Sequence, residues 1–146
     1  MPKKIVDTRH ARSLKYRKVL EEIEKKGKCP FCLQNFKYHP SKVLKKKNGW
    51  FITENGYSYK DAEHKFLIIC EKHKTELKEL TAKDLISVKY LADWAVKKFL
   101  IQGGALALRF GATNYTGATV QHLHFHLISP KLKRNLTAKT VSFPIG

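Results

Sequence analysis

The stretch Val120–Pro130, VQHLHFHLISP, carries a histidine at every second residue three times over, with a leucine or a phenylalanine in each gap. A period of two is the period of an extended strand, whose successive side chains point to opposite faces. The segment therefore predicts a strand that buries Leu123, Phe125 and Leu127 in a core and offers His122, His124 and His126 together on the other face. Rings two residues apart on one strand face stand roughly 6.5–7 Å from each other, from a rise of about 3.3 Å per residue. That spacing is too long for a direct hydrogen bond between rings. It suits groups that meet on one ligand, such as a phosphoryl centre or a metal ion.

The rest of the chain supplies a sheet for that strand to join. Residues 42–55, KVLKKKNGWFITEN, read as a hairpin turning at Asn48-Gly49, a pair that accepts positive φ in a two-residue turn. His64–Cys70, HKFLIIC, is a central strand buried on both faces, and Ala105–Phe110, ALALRF, is a further strand. Residues 111–119, GATNYTGAT, form a loop between that strand and the histidines.

Two helices are expected. One runs from about Thr8 to Lys26 with Tyr16, Val19, Leu20 and Ile23 on one face and Gly27 at its end. The longer runs from about Ala82 to Ile101, capped by Thr81 with Asp84 in its first turn. Leu85, Val88, Leu91, Ala92, Ala95 and Phe99 form its apolar stripe, and Gly103-Gly104 stop it. The sum is an α+β fold, an antiparallel sheet with one long helix packed on it and an extra N-terminal helix. Residues 1–146 read as one domain, with 1–27 a helical extension and 131–146 a basic tail whose VSFPIG packs against the body.

Charge and cysteines narrow the setting. The net charge is +17, which favours anionic partners, and nucleic acid is one of them. The basic residues are 24 Lys against 5 Arg, a poor match to bidentate recognition of bases and phosphates, so nucleic acid is not the favoured partner. The longest apolar run, FLIIC, is far short of the roughly 20 residues of a membrane-spanning helix. No apolar stretch follows the basic start, so no secretory signal is read. Three cysteines, two of them as CPFC, point to metal or redox chemistry in a reducing cytoplasm rather than to disulfides. Cys29 and Cys32 have the two-residue gap of a zinc knuckle, which Cys70 with His73 or His73 with His122 could complete.

HLHFHLI resembles the signature of the histidine triad family, His-x-His-x-His followed by two apolar residues. The hairpin, FLIICEKH, the long helix, two glycines, a strand and a small-residue loop precede it in that family's order, so the resemblance covers roughly Lys28–Pro130. It implies a nucleotide hydrolase or nucleotidyl transferase acting on the α-phosphate of a nucleotide or dinucleoside polyphosphate, generally as a homodimer. By the resemblance His124 is the nucleophile, His126 a donor to phosphate oxygens, and Thr119 and Gln121 flank the phosphate. Asn55 is a candidate ribose or base contact, and His64 a neighbour of the pocket. His10 and His39 face solvent.

The pattern also resembles the zinc-bearing branch that includes relatives of galactose-1-phosphate uridylyltransferase and the dinucleoside polyphosphate phosphorylases. That branch implies a structural zinc on Cys29, Cys32, His73 and His122, no redox cofactor, and Cys70 as a small buried hydrophobe. Three positions depart from the common pattern, Gly111, Ala118 and Ser129-Pro130, and they bear on leaving-group preference. The rival reading is a basic, zinc-ribbon-like nucleic-acid-binding module, which makes no use of the histidine spacing.

Overall fold

The computed structural model describes residues 6, 14–38, 41–56 and 59–146. Helix α1 spans Leu14–Lys26, and Gly27, at φ 64°, ends it by donating to the Ile23 and Glu24 carbonyls. The expected start at Thr8, and His10 and His39, lie outside the described residues. The hairpin forms as β1, Val43–Lys47, and β2, Trp50–Glu54. Its turn residues Asn48 and Gly49 both have positive φ, 42° and 83°, the geometry that matches the twist of paired strands. Strand β3, Ala62–Cys70, starts two residues earlier than His64. Helix α2 is Ala82–Lys98, β4 is Ala105–Leu108, α3 is the single turn Thr113–Thr116 and β5 is His124–Pro130.

The five strands pair antiparallel in the order β1-β2-β3-β5-β4, so β3 is central, as its unbroken apolar run requires. Trp50, Ile52, Phe66, Ile68, Phe125 and Leu127 meet Val88, Leu91 and Ala95 of α2 on one face. Phe51, Leu67 and Ile69 meet Leu20, Ile23, Phe31 and the two knuckle cysteines on the other. The sheet is thus covered on both sides, by α2 and by the N-terminal helix with its knuckle. Among the described residues no helix is long and apolar enough to cross a membrane.

Several expectations are corrected. Helix α2 stops at Lys98, with Phe99 as its cap and Leu100 at φ 53°, before the glycine pair. Leu85 is 51 % exposed, and Ser87 is buried in its place, because the buried stripe follows positions 87, 88, 91 and 95. The loop of residues 111–119 contains the short helix α3. The start of α2 behaves as expected: Thr81 Oγ1 accepts from Asp84 N while the Asp84 carboxylate accepts from Thr81 N.

Candidate active site and metal cluster

Strand β5 begins at His124, not at Val120. His122 precedes it, in a segment held by Leu123, whose carbonyl accepts from Cys70 N at 3.3 Å and whose N–H donates to the Lys74 carbonyl at 2.7 Å. His124 and His126 lie on the face opposite α2, since their row partners are Ile69 and Leu67. Their ring centroids are 5.0 Å apart, closer than simple strand spacing gives, because the rings lean toward each other. Leu123, Phe125 and Leu127 are buried.

Leaving the strand lets His122 turn toward the knuckle. The ligand atoms of Cys29, Cys32, His73 and His122 all lie within 4.8 Å of one another. Cys29 Sγ is 3.4 Å and Cys32 Sγ 3.8 Å from His122 Nδ1, Cys32 Sγ is 3.6 Å from His73 Nδ1, and the two Nδ1 atoms are 3.3 Å apart. A tetrahedral zinc, about 2.3 Å from sulfur and about 2.0–2.1 Å from nitrogen, implies edges of roughly 3.3–3.8 Å. The residues present fit such an ion. Cys70 is not in this cluster; it packs in the core under α2, where burial raises its thiol pKa. The Cys3His arrangement is therefore not the one the fold assembles.

Protonation is consistent with ligation. The Cys70 carbonyl can only accept, so at 2.6 Å it fixes the proton of His122 on Nε2 and turns the Nδ1 lone pair into the cluster. Burial, opposed by that bond and aided by nearby His124 and His73, lowers His122 to about 3, so the ring is neutral. Burial pushes the Cys29 thiol up to about 12, so a metal ion must displace a proton to bind it.

The same logic sets His124. Its Nδ1 lies 2.6 Å from the His122 carbonyl, so in the neutral ring Nδ1 carries the proton and Nε2 the lone pair. Phe31, from the middle of the CPFC turn, meets the His124 ring edge-on at 4.7 Å. Asn55 is buried, and its N–H donates to the Lys65 carbonyl, a register that puts it on the triad's face one row beyond His126. Gln121 lines a small cavity with Thr75, Arg109, Gly111 and His122, whereas Thr119 is half-buried in the loop before the triad. His64 stacks near Phe66 and Phe99, beside the end of α2, and lines a cavity with Ala107, Ile128 and Phe143.

The site contains residues the sequence reading passed over. Phe143 and Tyr59 lie 4.8 Å and 5.9 Å from His126, and Arg109 stands 3.8 Å from the Phe143 ring. For Arg109 a signal exists: in ALALR the period of two puts it on the face of Ala105 and Ala107. Phe143 offers none, since nothing local tells a tail phenylalanine where it docks.

Residues 28–141 match the family described as scavenger mRNA decapping enzyme C-terminal binding. Among solved structures, a HIT family hydrolase from Clostridium thermocellum is similar at 25% identity and TM-score 0.57, over 69% of this chain and 89% of that one. A histidine triad nucleotide-binding protein from Candida albicans is similar in fold, at 22% identity and TM-score 0.59, over 82% and 85%. A zinc-bound histidine triad family protein from Mycobacterium smegmatis is likewise similar in fold, at 16% identity and TM-score 0.56, over 76% and 81%. No curated protein matches. The chain belongs to the histidine triad family, with a cysteine and histidine cluster that fits its zinc-bearing branch.

Proposed function

We propose that this protein is a nucleotide hydrolase or nucleotidyl transferase that works through a nucleotidyl-His124 intermediate. The observation that carries the reading is the His124 tautomer: with Nδ1–H bonded to the His122 carbonyl, Nε2 holds its lone pair on the triad's face. Nε2 attacks the α-phosphorus, the bond to the bridging oxygen breaks, and the leaving phosphate or nucleotide departs with that electron pair. An oxygen of water or inorganic phosphate then attacks the same phosphorus, the P–N bond breaks, and Nε2 recovers its pair as the acceptor loses a proton. His126 donates to the non-bridging oxygens, and main chain near Thr119 and Gln121 steadies them. Asn55 is the candidate for ribose or base contact.

Cys29, Cys32, His73 and His122 would hold a zinc ion, which supplies a cross-link between the N-terminal knuckle and the triad segment. Incubation with an α-labelled dinucleoside polyphosphate should leave acid-labile label on the protein, and His124→Ala should remove all of it. Label retained on His124→Ala sinks the assignment.

The resemblance also implies a homodimer, and the two sheet edges differ in a way that supports one. Edge strand β1 carries Lys45, Lys46 and Lys47, which blunt pairing, whereas edge strand β4 is Ala-Leu-Ala-Leu with Leu106 46 % exposed. Sedimentation of wild type against Leu106→Lys tests that edge.

A further inference from the structure

The structure holds the triad closed. Both ring nitrogens of His126 are buried, and His124 is only 8 % exposed. A phosphoryl group does not reach the His126 nitrogens until something moves. The rings over His126 are Tyr59 and Phe143, stacked on each other at 6.2 Å and 19°. Their tethers differ. Tyr59 is 8 % exposed in the β2–β3 connection, where its carbonyl accepts from Ala62 N. Val141–Gly146 has no regular secondary structure, and among the described residues no backbone–backbone hydrogen bond joins it to the sheet.

What holds that segment is informative. Arg109 donates from Nε to the Pro144 carbonyl at 3.0 Å and from a terminal nitrogen to the same oxygen. Ala107 is the row partner of His126, so Arg109, two residues on, continues the triad's face beside His124. Farther along, a Cβ added to Gly117 would come within 2.4 Å of the Gly146 carbonyl oxygen, so the segment lies backbone to backbone on the loop before the triad. The segment thus takes three places at once: a ring against His126, an acceptor on a guanidinium fork, and a seat on the loop expected to flank phosphate.

We propose that Val141–Gly146 is a strap occupying the substrate's place, and that Arg109, held by the Pro144 carbonyl when the strap is closed, binds the substrate's polyphosphate when it opens. The proposal rests on the nucleotidyl-transfer reading for its substrate class. The exchange runs in the right direction, because a charged phosphate accepts from a guanidinium roughly twice as strongly as a neutral carbonyl does.

The test uses the zinc-loaded protein of residues 1–146 and two probes. Diethyl pyrocarbonate at neutral pH, with peptide mass spectrometry, reads the exposure of His126; inorganic tripolyphosphate, followed by calorimetry, reads anion binding. Phe143→Ala should speed His126 modification by about tenfold or more, as expected for loss of a local closing contact. It should also tighten tripolyphosphate binding severalfold. Arg109→Ala should speed modification as well, yet weaken tripolyphosphate by about tenfold, with Arg109→Lys in between.

Equal His126 modification in wild type and Phe143→Ala overturns the strap, and tripolyphosphate binding indifferent to Arg109→Ala overturns the cation's role. Should Phe143→Ala not fold, Phe143→Leu gives the same readings with smaller changes. Failure to trap a nucleotidyl-His124 with modification still accelerated condemns the reaction alone; label trapped with modification unchanged condemns the strap alone.

Discussion

His122 and His126 stand two residues either side of His124, yet the protein treats them in opposite ways. The His122 flank is built to stay. Its ring lies in a four-residue cluster and bonds the Cys70 carbonyl, and the adjoining Leu123 is clamped between the main chains of Cys70 and Lys74. Lys74 is fastened in turn, its ammonium 3.0 Å from Asp84, whose other oxygen accepts from the Trp50 indole at 2.9 Å. The start of α2 is therefore wired to the triad segment. The His126 flank is covered by a tail segment with few bonds of its own. The contrast matches the role proposed for His124, since a nucleophile needs one side that fixes its tautomer and position and another that lets substrate in.

Removing the proposed zinc should break the contrast most. Chelation of zinc-loaded protein, to which exposed His73 gives access, or Cys32→Ala, should lower the unfolding midpoint by at least about 10 °C, because a structural metal contributes folding energy outright. An unchanged midpoint in calorimetry would mean that the His122 flank is held by packing alone. Phe31→Ala empties a buried site between the knuckle and His124 and should cost about 3–5 kcal/mol in urea unfolding.

Asp84→Asn is expected to cost about 1–3 kcal/mol, since it weakens charge-assisted bonds that are mostly out of solvent. Acid sharpens this case. Burial would raise the Asp84 carboxyl, but the bonds from Trp50, Thr81 and Lys74 outweigh it and hold it well below the usual carboxylate range. Its stabilisation is therefore complete above the unfolded value of about 4 and drains away as pH falls below it, whereas Asp84→Asn lacks that component. Parallel loss of stability in both proteins between neutral pH and strong acid would contradict the linkage. At the small end, Ile145→Ala on the strap, 77 % exposed, should change stability by less than about 0.5 kcal/mol. A large loss there would make the strap part of the core.

The legible parts of the fold share one trait, which is that a rule spanning a few residues decides them. Asn48-Gly49 turns the hairpin because both residues take positive φ. Thr81 with Asp84 starts α2, and the apolar run of β3 demands a central place. Where several residues compete, the local reading slips. Leu85 is as apolar as Leu91, but the face of α2 that meets the sheet runs through Ser87, Val88, Leu91 and Ala95 and leaves it outside. His64 lies in β3 itself, paired with Ser129, and the cavity it lines with Phe143 is closed only by a segment some eighty residues away, which no local rule reveals. In the candidate site, the clustering of Cys29 with His122, 93 residues apart, could be expected only through a family likeness, since spacing left Cys70 equally eligible.

Taken alone, the amino-acid order determined that the histidines alternate, that strands and helices follow one another as they do, and that two thiols lie a turn apart. Tertiary structure decided the rest: that β5 starts only at His124, that His122 turns away to the knuckle while Cys70 sinks under α2, and that Phe143 meets both His126 and Arg109. The reason is physical. Backbone preferences act over a handful of residues, whereas which side chains share a volume depends on how both faces of a twisted sheet are filled, and that is settled only when distant segments pack.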